Sequence, residues 1–359
     1  MNNKTTPKLH SVKKALIILA AALFTGLIVF AGIVFVFDPF CQYHAPIFGD
    51  DTPLFDSYNQ VGGSLKNFDY DSLIVGNSLV QNCNTDCLEN EYGLKLLSAT
   101  KQSGTMYDLV ELADIAAEHR EIREIFWCLD YSQFEGATEV TLYSADNAYL
   151  YTDTILDDAE YLFNKEIVFK TIPLMIYNYK KGINVGGDAY DWSEGKNFNK
   201  EQAMSYYTRP EITVSEIIDL TDEYDYDTAM ENLEHLCGFI EAHPEIKFTV
   251  FCPPVSMNWW DSGYINGLHS ARLTVWEQAF LRLTAYENVN VYCYQTETAI
   301  VCDLDNYMDF THYSPKINQW MLDSVIAGER SVTADNYTDY LKEMDELTLY
   351  IEYELYGME

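Results

Sequence analysis

The sequence predicts an α/β fold, a three-layer sandwich built on a mostly parallel sheet and preceded by one transmembrane helix. Three observations predict it. Residues 15–37 are an uncharged run rich in Leu, Ile, Val, Phe and Ala, long enough to cross a hydrocarbon core of about 30 Å as a helix. Beyond that run, short apolar segments alternate with stretches of helical spacing, which implies βαβ units and hence parallel strands covered on both faces. Finally, Gly76 and Asp130 stand immediately after predicted strands and Gly104 in the loop after another. Sites in such sheets lie at the carboxyl ends of the strands.

The elements follow in order. Residues 1–14 carry Lys4, Lys8, Lys13 and Lys14 and no acidic residue, and Asp38 follows the apolar run directly. The positive-inside bias makes 1–14 a cytoplasmic tail, 15–37 an uncleaved single-pass anchor in the cell membrane, and everything after it extracytoplasmic. A cleaved signal peptide is the rival reading, but its apolar region would be unusually long and no small-x-small site follows. Residues 38–70, punctuated by Pro39, Pro46, Pro53, Gly49, Gly62 and Gly63, read as an irregular juxtamembrane stretch. The main domain is expected over 71–330. Its predicted strands cover 73–75, 94–97, 122–129, 248–251 and 289–292. Its predicted helices cover 105–119, with Thr105 as N-cap, and 226–243, 272–286 and 316–326. Residues 131–225 break the alternation. They are rich in Tyr, Asp and Asn, turn at Gly186-Gly187, have helical spacing near 156–163 and 168–179, and read as an insertion that caps or flanks the sheet. Residues 331–359 form an acidic C-terminal helix packed by Leu341, Met344, Leu347 and Ile351.

Charge and cysteine content narrow the function classes. The chain has 22 Lys+Arg against 56 Asp+Glu; four of the lysines precede Asp38, leaving 18 against 56 outside, a formal −38. A surface so acidic repels nucleic acid and suits solubility outside a cell. Eight cysteines lie beyond the anchor, an even number that permits disulfides, although Cys128, Cys252 and Cys293 fall in or beside predicted buried strands. Six histidines lie beyond residue 37 and none pairs with cysteine at ligand spacing, so the sequence supports neither a metal site nor a cofactor.

The chemistry sits in two short motifs. Gly76-Asn77-Ser78 follows an apolar strand, and Asp309-Phe310-Thr311-His312 lies near the end of the domain. A serine hydroxyl becomes a competent nucleophile only when a base takes its proton. His312 has a carboxylate three residues earlier, so Asp309 can hold Nδ1–H and leave Nε2 for Ser78. The backbone N–H groups of Ser78 and Gly104 are the candidate oxyanion donors. Taken singly, Ser78 reads equally well as an N-cap, Gly104 as a turn residue and His312 as a surface histidine beside an acidic loop.

In this order the blocks resemble the SGNH, or GDSL-like, hydrolase superfamily: a Gly-x-Ser block at the first strand, an oxyanion glycine after the second, and Asp-x-x-His before the last helix. The resemblance covers residues 71–327 apart from the insertion and implies an SGNH/flavodoxin-like sheet and Ser-His-Asp acyl chemistry. The first block reads Gly-Asn-Ser where many members have Gly-Asp-Ser. The third block, which in the family supplies an Asn donor, here ends Cys128-Leu129-Asp130-Tyr131. An ionised carboxylate there opposes an oxyanion, so Asp130 is assigned with Asn77 and Tyr131 to the substrate pocket. The anchor makes the chain similar to the branch that includes the teichoic acid D-alanyl transfer protein and the alginate-type O-acetyltransferases. That likeness implies a cell-surface glycan or glycopolymer as substrate and a multi-span membrane acyltransferase as partner. Water as acceptor makes an esterase and a sugar hydroxyl makes a transferase. Tyr143, Tyr149, Tyr151, Tyr161, Tyr190, Trp192 and Trp259-Trp260 suit sugar faces or the packing of a lid. A non-catalytic SGNH-fold protein that binds or presents polymer is the alternative.

Overall fold

A computed structural model describes residues 6–47, 57–144, 147–152, 154–181, 192–193 and 195–358. The chain runs α1 (Thr6–Phe37), α2 (Ser57–Asn67), β1 (Ser72–Gly76), α3 (Asp86–Tyr92), β2 (Leu96–Thr100), α4 (Met106–His119) and β3 (Glu124–Cys128). Helices α5 (Ser132–Glu135), α6 (Ile155–Leu162), α7 (Ile172–Lys181) and α8 (Lys200–Ser205) follow, then α9 (Tyr226–Ala242), β4 (Lys247–Cys252), α10 (Met257–Ile265) and α11 (His269–Leu283). The rest is β5 (Val289–Cys293), α12 (Thr298–Val301), α13 (Pro315–Ala327), β6 (Ser331–Val332) and α14 (Tyr337–Tyr350).

The six strands form one sheet in the order β2-β1-β3-β4-β5-β6. The first five are parallel and β6 runs antiparallel to β5. Strands β1 and β3 are buried along their whole length, as expected for strands covered on both faces. Helices α2, α4, α9, α11 and α14 pack on one another in succession, and α3 packs on α13. Thr105 caps α4 by accepting the Asp108 amide in a capping box. Residues 15–37 lie within α1, which is long and apolar enough to cross a membrane. All eight cysteines are free thiols.

Two expectations need correction. The juxtamembrane stretch is not irregular throughout, because residues 57–67 form α2. Its Gly62-Gly63 pair, counted among the marks of an irregular stretch, instead lets α2 approach other backbone closely. A Cβ on Gly63 would stand 2.2 Å from the Phe40 carbonyl oxygen, and one on Gly62 would stand 2.6 Å from that of Leu150. Tertiary packing here overrides propensity. Trp259-Trp260 follow the end of β4 and lie inside α10. The C-terminal segment also begins with the two residues of β6 before it becomes helical. The Gly186-Gly187 turn lies outside the described residues.

Candidate functional site

The order of the sheet places a topological switch at β1, whose neighbours β2 and β3 lie on opposite sides. Crevices at such points, beyond the carboxyl ends of the strands, are where α/β sheets bind ligands. Ser78 stands just past β1, Gly104 past β2 and Asp130 past β3. All three line one cleft of about 290 Å³ together with Asn77, Tyr131 and His312.

The Ser78 turn is held from several sides. Gly76 must be glycine because a Cβ there would meet Val80 Cγ2 at 2.6 Å and Cys128 Cβ at 3.0 Å. Asn77 Oδ1 accepts the Leu79 N–H at 3.0 Å, an Asx turn that bends the chain at the strand end. Asn318, on α13, donates from Nδ2 to Leu79 O at 3.1 Å and to Asn82 Oδ1 at 2.7 Å. Trp192 Nε1 donates to Ser78 O at 2.7 Å, and its ring meets the His312 imidazole edge-on at 5.0 Å. Ser78 itself stays half-buried, with its hydroxyl toward the cleft.

His312 reaches this turn from the loop before α13. Tyr307 and Tyr313 form an isolated antiparallel bridge, and Met308 N donates to His312 O at 2.9 Å. The loop after β4 clamps it: Ser256 donates to Phe310 O from its amide at 3.0 Å and its hydroxyl at 2.7 Å, and Tyr307 OH donates to Pro254 O at 3.1 Å. Asp309 lies 2.8 Å (Oδ2) and 3.0 Å (Oδ1) from His312 Nδ1, and its Oδ1 accepts the N–H groups of His312 at 2.9 Å and Thr311 at 3.0 Å. Burial pushes the Asp309 carboxyl up, but the His312 hydrogen bond and charge and the two amides outweigh it and hold it below the usual carboxylate range. Asp309 is therefore an anion at neutral pH. It fixes the tautomer with a proton on Nδ1 and leaves Nε2 as an acceptor. His312 Nε2 lies 2.8 Å from Ser78 Oγ, across a sequence separation of 234 residues.

The other assigned residues divide. Asp130 is buried, and its Oδ2 accepts from Asn77 Nδ2 at 3.0 Å, Ser132 N at 3.3 Å and Ser132 Oγ. It ties the β1 turn to the β3 turn, a shaping role at the wall of the cleft. Tyr131 is buried, hydrogen-bonds Tyr224 OH at 2.9 Å and packs edge-on to Trp259. Burial raises its phenol far above the ordinary range. Of the two predicted oxyanion amides, only Ser78 N–H lacks an acceptor among the described residues. Gly104 N–H donates to Lys101 O at 3.0 Å.

Among the aromatic candidates, Trp192 and Trp259 border the site. Tyr151, Tyr161 and Trp260 are buried, and Tyr161 OH donates to Asp38 Oδ1 at 2.8 Å. Tyr143 is exposed and hydrogen-bonds Glu111; Tyr149 is half-buried, and Tyr190 lies outside the described residues. Sequence reasoning missed Asn318 as the brace of the Ser78 turn and Trp192 as its second tie, because no local pattern announces contacts across 239 and 114 residues. The sequence matches no protein-family model and no curated protein.

Proposed function

We propose that this chain is a membrane-anchored, outward-facing serine esterase or O-acyltransferase of SGNH type, acting on acyl esters of a cell-surface glycan or glycopolymer. One observation carries the reading: the unbroken chain Asp309–His312–Ser78, assembled from both ends of the domain and opening on a cleft. The fold supports it through the 2-1-3-4-5 order of its parallel strands. In this reading the row α2-α4-α9-α11 and the α3–α13 pair are the outer layers of a three-layer sandwich. Lys13 and Lys14 before the apolar run and Asp38 after it support an outward-facing domain.

In the reaction, Ser78 Oγ attacks the acyl carbonyl carbon while His312 Nε2 takes the hydroxyl proton. Asp309 stabilises the imidazolium without taking the proton itself. The Ser78 N–H donates to the carbonyl oxygen as it becomes an oxyanion. Collapse expels the alcohol, which receives the proton from His312, and leaves an acyl-serine. Water or a sugar hydroxyl, deprotonated by His312, then releases the acyl group and restores Ser78. Gly104 can join the oxyanion hole only by sharing its proton with Lys101 O.

That engaged amide, and the carboxylate of Asp130 where the resembled family has an amide donor, favour a second reading: an SGNH-fold protein that binds polymer and presents it to a multi-span acyltransferase. Release of 4-nitrophenol from 4-nitrophenyl acetate by the full chain in detergent separates the two. The enzymatic reading expects turnover lost in Ser78→Ala and partition of the acyl group to added glycan. Equal rates for parent and variant overturn it and leave the binding reading.

A further inference from the structure

We propose that the segment of residues 155–181, comprising α6, the wide turn Ile167–Thr171 and α7, lies in the outer leaflet of the membrane and inserts its exposed apolar face among phospholipids. The proposal rests on the membrane-anchored reading.

Helix α1 is exposed from residue 11 to residue 29 and becomes packed only from Phe30; Val34 is fully buried. Its partners there are in this segment. Phe30 stacks with Phe163 at 6.5 Å between ring centroids and meets Phe169 edge-on at 6.4 Å. These contacts fix a depth. Lys13 and Lys14 mark the inner edge of the apolar run. About 20 residues at about 1.5 Å each then cross the hydrocarbon from Ala15 to near Val34. Phe30 lies about 6 Å inside that outer boundary, and side chains that touch it share its level. Amphipathic helices in a membrane interface bury their apolar faces by about 5–10 Å.

The surface chemistry fits. Ile167, Ile172 and Met175 pack into the protein, yet the exposed side of the same segment also carries large apolar side chains among its charges. Phe169 is 72% exposed, Leu174 49%, Tyr177 54% and Leu156 84%. Large apolar side chains exposed beside lysines suit a membrane interface better than open water. Exposed Tyr177 and Tyr179 carry the amphipathic rings that favour the headgroup level. Lys165, Lys170, Lys180 and Lys181 offset Asp157, Asp158, Glu160 and Glu166, while the rest of the chain beyond residue 37 has 14 basic against 52 acidic residues. The segment is thus a neutral, lysine-bearing island on a surface that anionic headgroups otherwise repel.

The test places p-benzoylphenylalanine at Phe169, at Leu174, at Phe24 within α1 and at the exposed Leu281 of α11, one position at a time, in the full chain in native membranes. After irradiation, mass spectrometry should find phospholipid adducts at 169, 174 and 24 and none above background at 281. Adducts at 24 without adducts at 169 and 174 overturn the proposal and leave the anchor standing. Crosslinks from 169 and 174 to a polypeptide instead of lipid also overturn it. Absence of lipid at 24 removes the anchored reading itself.

Discussion

Two clusters in this molecule are built from the same ingredients, carboxylates held by nitrogen donors, and they end differently. In the first, Asp309 orients His312 and the chain of hydrogen bonds terminates at the hydroxyl of Ser78, half-buried in a cleft. In the second, Arg209 donates from Nε to Asp261 Oδ1 at 2.8 Å and from Nη2 to Glu352 Oε2 at 2.7 Å, while Tyr207 OH donates to Asp261 Oδ2 and Tyr356 lies under the guanidinium at 4.6 Å. Both carboxylates are fully buried. The second cluster ties Glu352, in the turn Ile351–Leu355 after α14, to α10 and the insertion, and both of its carboxylates are spent on structure. The first ends at the Ser78 hydroxyl, among the residues that line the cleft. Charge and burial alone do not single out a candidate site; a hydrogen-bond chain that ends at a cleft does.

Substitutions should therefore separate cleanly, with rate lost at one cluster and stability at the other. The largest effect is expected at Asp309→Asn, which inverts the tautomer preference of His312. Ester turnover should fall by on the order of 10²–10⁴-fold with Tm nearly unchanged. A similar fall in Tm would place Asp309 with the structural cluster. Arg209→Met should do the reverse, because it strands Asp261 and Glu352 without their partner. A loss of about 3–5 kcal/mol in denaturant unfolding is expected, with the turnover of the folded fraction retained.

The pH dependence sharpens the contrast. Burial, reinforced by Asp261 beside it and partly opposed by Arg209, pushes Glu352 from its ordinary 4.5 up to about 8. The folded state then binds the proton more tightly than the unfolded chain. This contribution is fully present below about pH 4.5 and is lost as pH rises through 8. Stability should fall across that window by up to about 1.4 kcal/mol per pH unit, and Glu352→Gln should flatten the slope. An unchanged slope in the variant would assign the proton elsewhere. The smallest effect is expected at Trp192→Phe, which removes the 2.7 Å hydrogen bond to Ser78 O but keeps a ring beside His312. One hydrogen bond at about 1 kcal/mol corresponds to about fivefold in kcat/KM. Retention of full activity would show that Asn77 and Asn318 fix the turn without Trp192.

The same contrast explains what could be read in the chain before folding. Strands β1, β3 and β4 appear as short apolar runs because they are buried on both faces, β5 as an alternating run because one face is open, and α4 as a periodic stretch after a Thr cap. Ser78, Asp309 and His312 were legible because a serine just after an apolar strand, and a histidine three residues after a carboxylate, are patterns that local sequence shows. Helix α2 was not, since Gly62-Gly63 serves a close backbone approach that only tertiary structure reveals. Strand β6 has two residues, too few for any period. Gly104 matched as a residue type, but whether its amide is free depends on the turn at Lys101. The Arg209 knot joins residues 52 and 143 positions apart and left no pattern at all.

The most direct test of the nucleophile is covalent capture. The full chain in detergent, treated with a fluorophosphonate and digested, should yield one phosphonylated serine at Ser78, with labelling abolished in Ser78→Ala and strongly slowed in His312→Gln. Equal labelling of parent and Ser78→Ala, or an adduct mapped to another serine, would contradict the account.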